Sequence, residues 1–306
     1  MLHTYTYKRL TWIDLEAPTT DEVAKVMNDY RLHPLVAEEL VNPTLKPKVD
    51  FYKDYIYVVL RFPFRKRNLH SYVAVDKEVD FVISKDFIIT THYDTVEPLH
   101  NFSKMFEVNS IVDKGGMGEH AGYVFYYMLK HIYKNMLSEL DSIKTALGDA
   151  EELVFTGREK EMVRTISELS RELINFRQSA RAHKDVLESF AIASKELFGE
   201  NFSYYVSDLQ SEYMKTYEVI NNSRELVNDL RETNDSLLST KQNETMKTLT
   251  IMAFITFPLS LITDIFSIPT EHTPIIGYLF DFEIILGIMV LFTIGMFFFF
   301  KYKKWL

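Results

Sequence analysis

Near the carboxyl end of the chain, residues Thr248–Ile268 read TLTIMAFITFPLSLITDIFSI. A second apolar stretch, Tyr278–Phe300, begins after only nine intervening residues. Each stretch is long enough to cross the hydrocarbon core of a membrane, which takes about 20 residues in an α-helix. We therefore predict transmembrane helices at 248–268 and 278–300, an extracytoplasmic loop at 269–277 and a basic tail at 301–306.

A single carboxylate, that of Asp264, lies inside the first apolar stretch. Placing an ionisable side chain at the centre of a membrane helix costs on the order of 2.5–3.5 kcal/mol, so such residues usually mark an ion pathway. Two interpretations remain open. Asp264 either lines a path for cations, or it reaches the outer headgroups, because it lies only four residues before Ile268.

Lysine residues indicate the orientation of the two predicted helices. They precede the first helix and follow the second, whereas the loop between the helices contains no Lys or Arg. The residues concerned are Lys241, Lys247, Lys301, Lys303 and Lys304. Because positively charged flanks stay on the cytoplasmic side, we predict a multi-pass protein of the cell membrane with both termini in the cytoplasm.

The composition limits the classes of function. The formal net charge is −9, which argues against nucleic-acid binding. The chain has no cysteine, which excludes disulfides and thiolate metal sites. We find no glycine-rich nucleotide loop and no hydrolytic motif. The sequence therefore predicts neither an enzyme nor a cofactor other than a divalent cation.

The first 116 residues have the pattern of a mixed α/β domain. Short β-branched and aromatic runs predict strands, and charged or turn residues separate them. These runs are Tyr55–Leu60, Tyr72–Val75, Val79–Ser84 and Phe87–Thr91, while Thr20–Tyr30 and Leu35–Val41 look helical. We therefore predict a cytoplasmic α/β domain at 1–116.

A cytoplasmic helical or stalk region is predicted at 117–247. Its composition is rich in Glu, Lys, Arg, Leu and Ser and lacks proline, which is typical of long helices. We expect helices at Gly122–Leu147 and Arg158–Leu197, then one from about Phe202 that continues into the membrane.

Apolar residues recur along this last helix at spacings of three and four. They are Val206, Leu209, Tyr213, Tyr217, Ile220, Val227, Leu230 and Leu237. Such a seam needs packing partners, which come either from the same chain or from neighbouring subunits.

Several segments resemble the CorA family of divalent-cation transporters. Asn243–Ile251, running into Phe257–Ser260, resembles the start of the family's first membrane helix. Further segments are similar to its amino-terminal domain in order and spacing: Trp12–Leu15, Leu32–Leu35, Lys46–Asp50 and Tyr52–Tyr55. The resemblance covers nearly the whole chain. It implies an α+β membrane protein assembled as a homopentamer, with an α/β funnel, long stalk helices and a pore lined by the first span.

The sequence departs from the family pattern at the outer end of the first span. The family carries Gly-Met-Asn there, normally after Gly-Ile-Tyr, and the resemblance places Ser267, Ile268 and Pro269 at the Gly-Met-Asn positions. Asp264 replaces the glycine of Gly-Ile-Tyr. The asparagine ring that would bind a hydrated ion is missing. The resemblance therefore implies the fold but does not imply selectivity for Mg²⁺.

Helical periodicity gives a separate prediction of the residues that face a pore. At 100° per residue, one side of the first span carries a set that we call the pore row: Met246, Thr250, Ala253, Phe257, Ser260 and Asp264. The family resemblance places Met246, Leu249, Phe257 and Ser260 toward the pore, and Ser267 lies at its outer end. In a pentamer, Asp264 would form a ring that attracts cations, and the rings of Phe257, Leu249 and Met246 would form hydrophobic constrictions.

Other acidic residues give two further predictions. Glu271, Asp281 and Glu283 lie near the outer ends of the spans, where they are either simply solvated or concentrate cations at the mouth. In the stalk, Asp208 matches the position where the family carries an aspartate that binds regulatory Mg²⁺ between subunits. Its partner would be an acid of the adjacent α/β domain, Asp80 or Asp86.

We therefore expect a pentameric channel or transporter that moves divalent cations, driven inward by the negative-inside membrane potential. Mg²⁺ is the first expectation, and Zn²⁺, Ni²⁺ or Co²⁺, with or without proton coupling, remain open. The alternative class is a non-conducting envelope sensor or membrane scaffold. The missing Gly-Met-Asn favours that alternative, whereas Asp264 in the pore row favours conduction.

Overall fold

The computed structural model describes residues 1–44, 46–67, 72–107, 120–268, 275–277, 279–303 and 305. The chain divides into two compact units, Met1–Glu232 and Thr233–Leu306. The predicted boundary between residues 116 and 117 lies outside the described residues, as does most of the predicted loop at 269–277.

The first unit contains a six-stranded mixed sheet. Its strands are β1 (Leu2–Tyr7), β2 (Leu10–Glu16), β3 (Lys48–Phe51), β4 (Tyr55–Arg67), β5 (Tyr72–Ser84) and β6 (Phe87–His92). The order across the sheet is β1-β2-β6-β5-β4-β3, and only the neighbours β2 and β6 are parallel. The runs predicted as two strands at Tyr72–Val75 and Val79–Ser84 form the single strand β5, because its ladder with β4 continues through the charged residues between them.

Both faces of this sheet are buried. Side chains alternate between the faces along a strand, so Tyr57 and Val59 of β4 contact one layer of helices while Val58 and Leu60 point to the other. The first layer consists of α1 (Thr20–Tyr30) and α2 (Pro34–Glu39). The second layer contains α3 (Glu97–Glu107), α4 (Ala121–Phe155), α5 (Glu159–Arg181) and α6 (His183–Phe198).

The helix predicted at Arg158–Leu197 is two helices, because α5 ends at Arg181 and α6 begins at His183. The His183 ring lies in the core, where burial lowers its pKa to about 4. The neutral ring donates from Nε2 to the carbonyl oxygen of Arg61 (2.8 Å), and its Nδ1 accepts from the Tyr133 hydroxyl (2.9 Å). These contacts fix the start of α6, and no local sequence signal marks them.

Helix α7 runs without interruption from Ser203 to Ser267. Its 65 residues correspond to a contour of roughly 100 Å at 1.5 Å per residue. In the second unit it is joined by α8, which runs from Asp281 to Tyr302. Both helices contain stretches that are long and apolar enough to cross a membrane.

The apolar seam of α7 is buried by its own chain within the first unit. Val206, Leu209 and Ile220 are each at most 1% exposed. The ring of Tyr213 packs near Tyr133 of α4 and near His183 of α6. The seam therefore gives no argument for a neighbouring subunit.

We predict that Phe125→Ala in α4 destabilises the first unit by about 3–5 kcal/mol, the usual cost of emptying an aromatic core site. Phe125 is fully buried, and its ring contacts Phe81 of β5 and Phe190 of α6, with centroid distances of 5.1 and 4.7 Å. Denaturant unfolding of the full chain in mild detergent, followed by circular dichroism, measures the loss. Phe155→Ala is the matched control on the same helix, because Phe155 is 65% exposed. Equal losses in the two variants would contradict this packing.

Candidate ion pathway

Helix α8 covers one side of the membrane stretch of α7. The side chains of Thr263 and Met289 meet at 4.0 Å, and the rings of Phe254 and Phe300 lie 6.4 Å apart. Between residues 251 and 268, the fully or partly buried positions of α7 follow a helical spacing: Ile251, Ile255, Pro258, Leu259, Ile262 and Phe266. Pro258 lies within this covered side and supplies no backbone N–H to the carbonyl of Phe254.

The pore row lies on the other side of α7. At 100° per residue its mean direction is roughly 170° from that of the covered positions. Its members are exposed apart from the half-buried Thr250, and Phe257 is 74% exposed. No described residue lies within hydrogen-bond distance of the Asp264 carboxylate. The residues predicted from periodicity therefore share one face that α8 leaves open.

Two hydroxyls of the predicted pathway bond to their own helix. Thr250 Oγ1 donates to the carbonyl oxygen of Met246 (2.8 Å), and Ser267 Oγ donates to that of Thr263 (2.7 Å). A hydroxyl whose proton is used in this way still offers lone pairs as an acceptor. Both groups can therefore accept a hydrogen bond from the water shell of a cation.

The predicted acids of the outer mouth have different surroundings. Asp281 begins α8, where its carboxylate accepts from the backbone N–H groups of Gly277 (3.2 Å) and Phe282 (2.7 Å). Glu283 is exposed in the first turn, where a negative charge stabilises the positive end of the helix dipole. Glu271 lies outside the described residues.

The stalk acid Asp208 lies in the first unit and is already engaged by a cation of its own chain. Lys130 Nζ of α4 lies 2.7 Å from its Oδ2, and the Tyr126 hydroxyl donates to the same oxygen at 2.6 Å. These hydrogen bonds lower the pKa of the Asp208 carboxyl and raise that of Lys130. Both side chains are about 40% exposed, so the pair contributes no more than about 1 kcal/mol.

The two candidate partner acids of Asp208 differ in exposure. Asp80 is fully buried on β5, where the hydroxyls of Tyr57 and Tyr93 lie 3.4 Å from its Oδ2. Burial raises its pKa well above the ordinary value, and the neighbouring Glu78 adds to the effect. Asp86 lies exposed between β5 and β6. Of the two, only Asp86 is accessible to a neighbouring subunit.

Within one chain, the described residues contain no group of three or more His, Asp or Glu side chains arranged to hold a metal ion. Sequence reasoning missed Lys130 and Tyr126 as the partners of Asp208. Their spacing of four residues on α4 places them on one helical face, but a contact across 78 residues becomes visible only in the fold.

Comparisons with known proteins agree with this architecture. The family described as CorA-like Mg2+ transporter protein matches residues 7–303. The cobalt/magnesium transport protein CorA of Thermotoga maritima is 27% identical over 298 residues, which span 97% of this chain and 83% of that protein. The putative metal ion transporter YfjQ of Bacillus subtilis is 23% identical and spans 96% of this chain and 89% of that protein.

Solved structures share the fold. The complete CorA magnesium transporter from Methanocaldococcus jannaschii superposes with a TM-score of 0.83 at 19% identity, covering 99% of this chain and 94% of that one. The full-length CmaX protein gives a TM-score of 0.72 at 18% identity, covering 94% and 87%. The predicted fold of an amino-terminal α/β part, a long helix and two carboxyl-terminal apolar helices is confirmed.

We predict that Lys130→Met strengthens the response of the protein to Mg²⁺, because the Asp208 carboxylate then loses its internal cation. The thermal midpoint of the full chain in mild detergent, measured with and without Mg²⁺ at constant ionic strength, should rise more in this variant than in the native protein. Lys134→Met removes the same charge one turn further along α4 and is the control. The prediction fails if Mg²⁺ raises the thermal midpoint equally in the two variants. It also fails if the larger rise persists when Asp208→Asn is added to Lys130→Met.

Proposed function

This chain belongs to the family of CorA-like Mg²⁺ transporters, and from that premise we propose that it moves divalent cations across the cell membrane. The names of its relatives, a cobalt/magnesium transport protein among them, support this class of substrate. The observation on which the mechanism rests is that Asp264 lies on the face of α7 that α8 leaves open.

The orientation that we propose follows from the lysines. Lys301 lies in the last turn of α8 and Lys303 follows it, while Lys241 and Lys247 precede the membrane stretch of α7. Positively charged flanks remain in the cytoplasm. The first unit then lies in the cytoplasm together with both termini, and the connection between α7 and α8 lies outside.

A conducting pathway requires several copies of the chain, because two membrane helices cannot enclose a pore. We propose the homopentamer that the family resemblance implies. The open face of α7 suits the position nearest the symmetry axis, and α8 then lies toward the lipid. The apolar surface of α8 supports this arrangement: Phe282, Leu291 and Phe298 are 71%, 76% and 64% exposed.

Asp264 is the proposed selectivity element. Repeated around an axis, its carboxylate attracts cations and repels anions, as charged rings do in cation channels. Mg²⁺ gives up its water reluctantly, so the carboxylates and the Ser260 hydroxyls act on a hydrated ion. Ser267 extends this polar part outward, toward the region where Glu271, Asp281 and Glu283 would raise the local cation concentration.

The inner part of the proposed pathway is largely apolar. Phe257, Leu249 and Met246 are 74%, 63% and 58% exposed in one chain, and in a ring they face one another across the axis. Ala253 and Thr250 lie between them. Apolar rings of this kind close a pore by excluding water, so they are the proposed gate. The negative-inside potential drives the ion inward through it.

Regulation by a cytoplasmic cation is a separate part of the proposal. Asp208 and the exposed Asp86 of an adjacent subunit are the acids proposed to hold the ion. Lys130 competes with that ion for Asp208, which makes binding weak in the native chain.

A second candidate function is a non-conducting sensor or scaffold with the same assembly. The family resemblance places Ser267, Ile268 and Pro269 where the family carries Gly-Met-Asn, and this departure favours the sensor. The same observation favours a transporter of altered specificity, for Zn²⁺, Ni²⁺ or Co²⁺, whose Asp264 ring exchanges protons for metal. Flux into liposomes, followed with metal- and proton-sensitive dyes, distinguishes these two functions from the proposed divalent-cation transporter. The absence of flux for any ion supports the sensor or scaffold. Proton movement coupled to metal flux supports the exchanger.

We predict that the full chain in mild detergent is a homopentamer. Native mass spectrometry should give five times the chain mass. A stable monomer or dimer under these conditions would contradict the pore, although the fold of the single chain would stand.

We predict that Asp264→Asn lowers divalent flux in liposomes and removes the preference for divalent over monovalent cations, because it keeps the side-chain size but loses the charge. Asp264→Lys should nearly abolish cation entry, since a positive ring repels the permeant ion. Ser260→Ala, one turn below, is the control with a smaller effect, because it removes only a neutral hydroxyl. If Asp264→Lys conducts cations as well as the native protein does, this side chain faces lipid or headgroups, and the carboxylate-ring mechanism is wrong.

A further inference from the structure

A cavity opens in the second unit where the carboxyl end of α8 approaches α7. Its volume is about 410 Å³, and it is lined by Phe254, Met296, Phe299, Phe300, Lys303 and Trp305. None of these residues belongs to the pore row. The cavity therefore needs an explanation separate from the ion pathway.

Lys303 and Trp305 follow α8, contact its last turns and form one wall of this cavity. The backbone N–H of Lys303 donates to the carbonyl oxygen of Phe299, and that of Trp305 donates to the carbonyl oxygen of Phe300, both at 3.0 Å. The indole ring of Trp305 stacks on the ring of Phe300 with a centroid distance of 5.9 Å and an interplanar angle of 22°. Backbone and ring contacts together fix the position of the indole.

The chemistry of the lining defines what the cavity can hold. Among the described residues that line it, Lys303 alone carries a charge. No described carboxylate lies within ion-pair distance of its ammonium group. A complementary occupant has an extended apolar part and one anionic group.

The position of the cavity along α8 adds a second constraint. The 22 residues of α8 span about 33 Å, slightly more than a hydrocarbon core of about 30 Å. Its last turn and Lys303 therefore lie at the level of the lipid headgroups, where Lys and Trp are commonly found. Phe254 and Met296 lie deeper, at the level of the acyl chains.

We propose that this cavity binds an anionic phospholipid of the cytoplasmic leaflet. One acyl chain contacts the aromatic wall, and the phosphate accepts hydrogen bonds from Lys303 Nζ, a charge-assisted contact. Only the choice of leaflet rests on the proposed orientation. Lipid binding does not require ion conduction. The lipid-binding proposal can therefore be wrong while the proposed transport function is right, and the transport function can be wrong while lipid binding is right.

Trp305 is itself the reporter for the test. The full chain is reconstituted in phosphatidylcholine vesicles that contain a minor fraction of phosphatidylglycerol with brominated acyl chains, which quench tryptophan on contact. The chain has two tryptophans, and Trp305→Phe gives the signal of the buried Trp12 for subtraction. We expect quenching of Trp305 to correspond to an enrichment of about fivefold over the mole fraction, the effect of one lysine near a charged headgroup. Brominated phosphatidylcholine at the same fraction should show no enrichment.

Two charge variants decide between a site and a general attraction to the basic tail. Lys303→Gln should abolish the enrichment, whereas Lys301→Gln, which removes the same charge outside the lining, should retain it. The proposal is overturned if both variants lose the enrichment equally, if Lys303→Gln keeps it, or if the native protein shows none. That last result would mean that protein, such as a second copy of the chain, covers the cavity.

Discussion

A helix in hydrocarbon must satisfy its backbone hydrogen bonds internally, because the surroundings offer no partners. Helix α7 is continuous from Ser203 to Ser267, and Pro258 within it supplies no backbone N–H. The same helix supplies the buried seam of the first unit and the open face of the second. One continuous helix therefore contributes a different surface to each of the two units.

Three aspartates illustrate how surroundings give one side chain different properties. Asp80 is enclosed by tyrosines and a second acid, which favours its protonated form. Asp208 remains ionised beside Lys130, whose ammonium group stabilises the negative charge. Asp264 has no hydrogen-bond or ion-pair partner among the described residues. Acidic residues in the sequence identify candidates, and burial and neighbours decide which of them can bind a cation.

Local patterns predicted those parts of the structure that local composition controls. The two apolar stretches correspond to helical segments of α7 and α8, and the periodicity that defines the pore row places it opposite the side that α8 covers. Strands β1, β2 and β3 are not among the predicted runs. No residue of β1 or β3 is buried, and β1 alternates Thr, His and Tyr rather than aliphatic residues. In β2 the carboxylate of Asp14 interrupts the apolar run. The break at Ala182 and the contact of Lys130 with Asp208 depend on residues far apart in sequence. The function of the pore row stays a prediction, because it concerns contacts between chains.

Pro258 has a mechanical consequence. The missing N–H leaves the carbonyl of Phe254 without its usual helical partner, so the turn that contains Phe257 bends more easily than the turns on either side. The membrane part of α7 then behaves as two stiff segments joined at a compliant point. Tilting of the inner segment about that point moves Met246 and Leu249 by larger displacements than Phe257, because displacement grows with distance from a pivot. In the proposed pentamer, the largest change in pore diameter would then occur at the inner end, while the spacing of the Asp264 carboxylates would stay nearly constant.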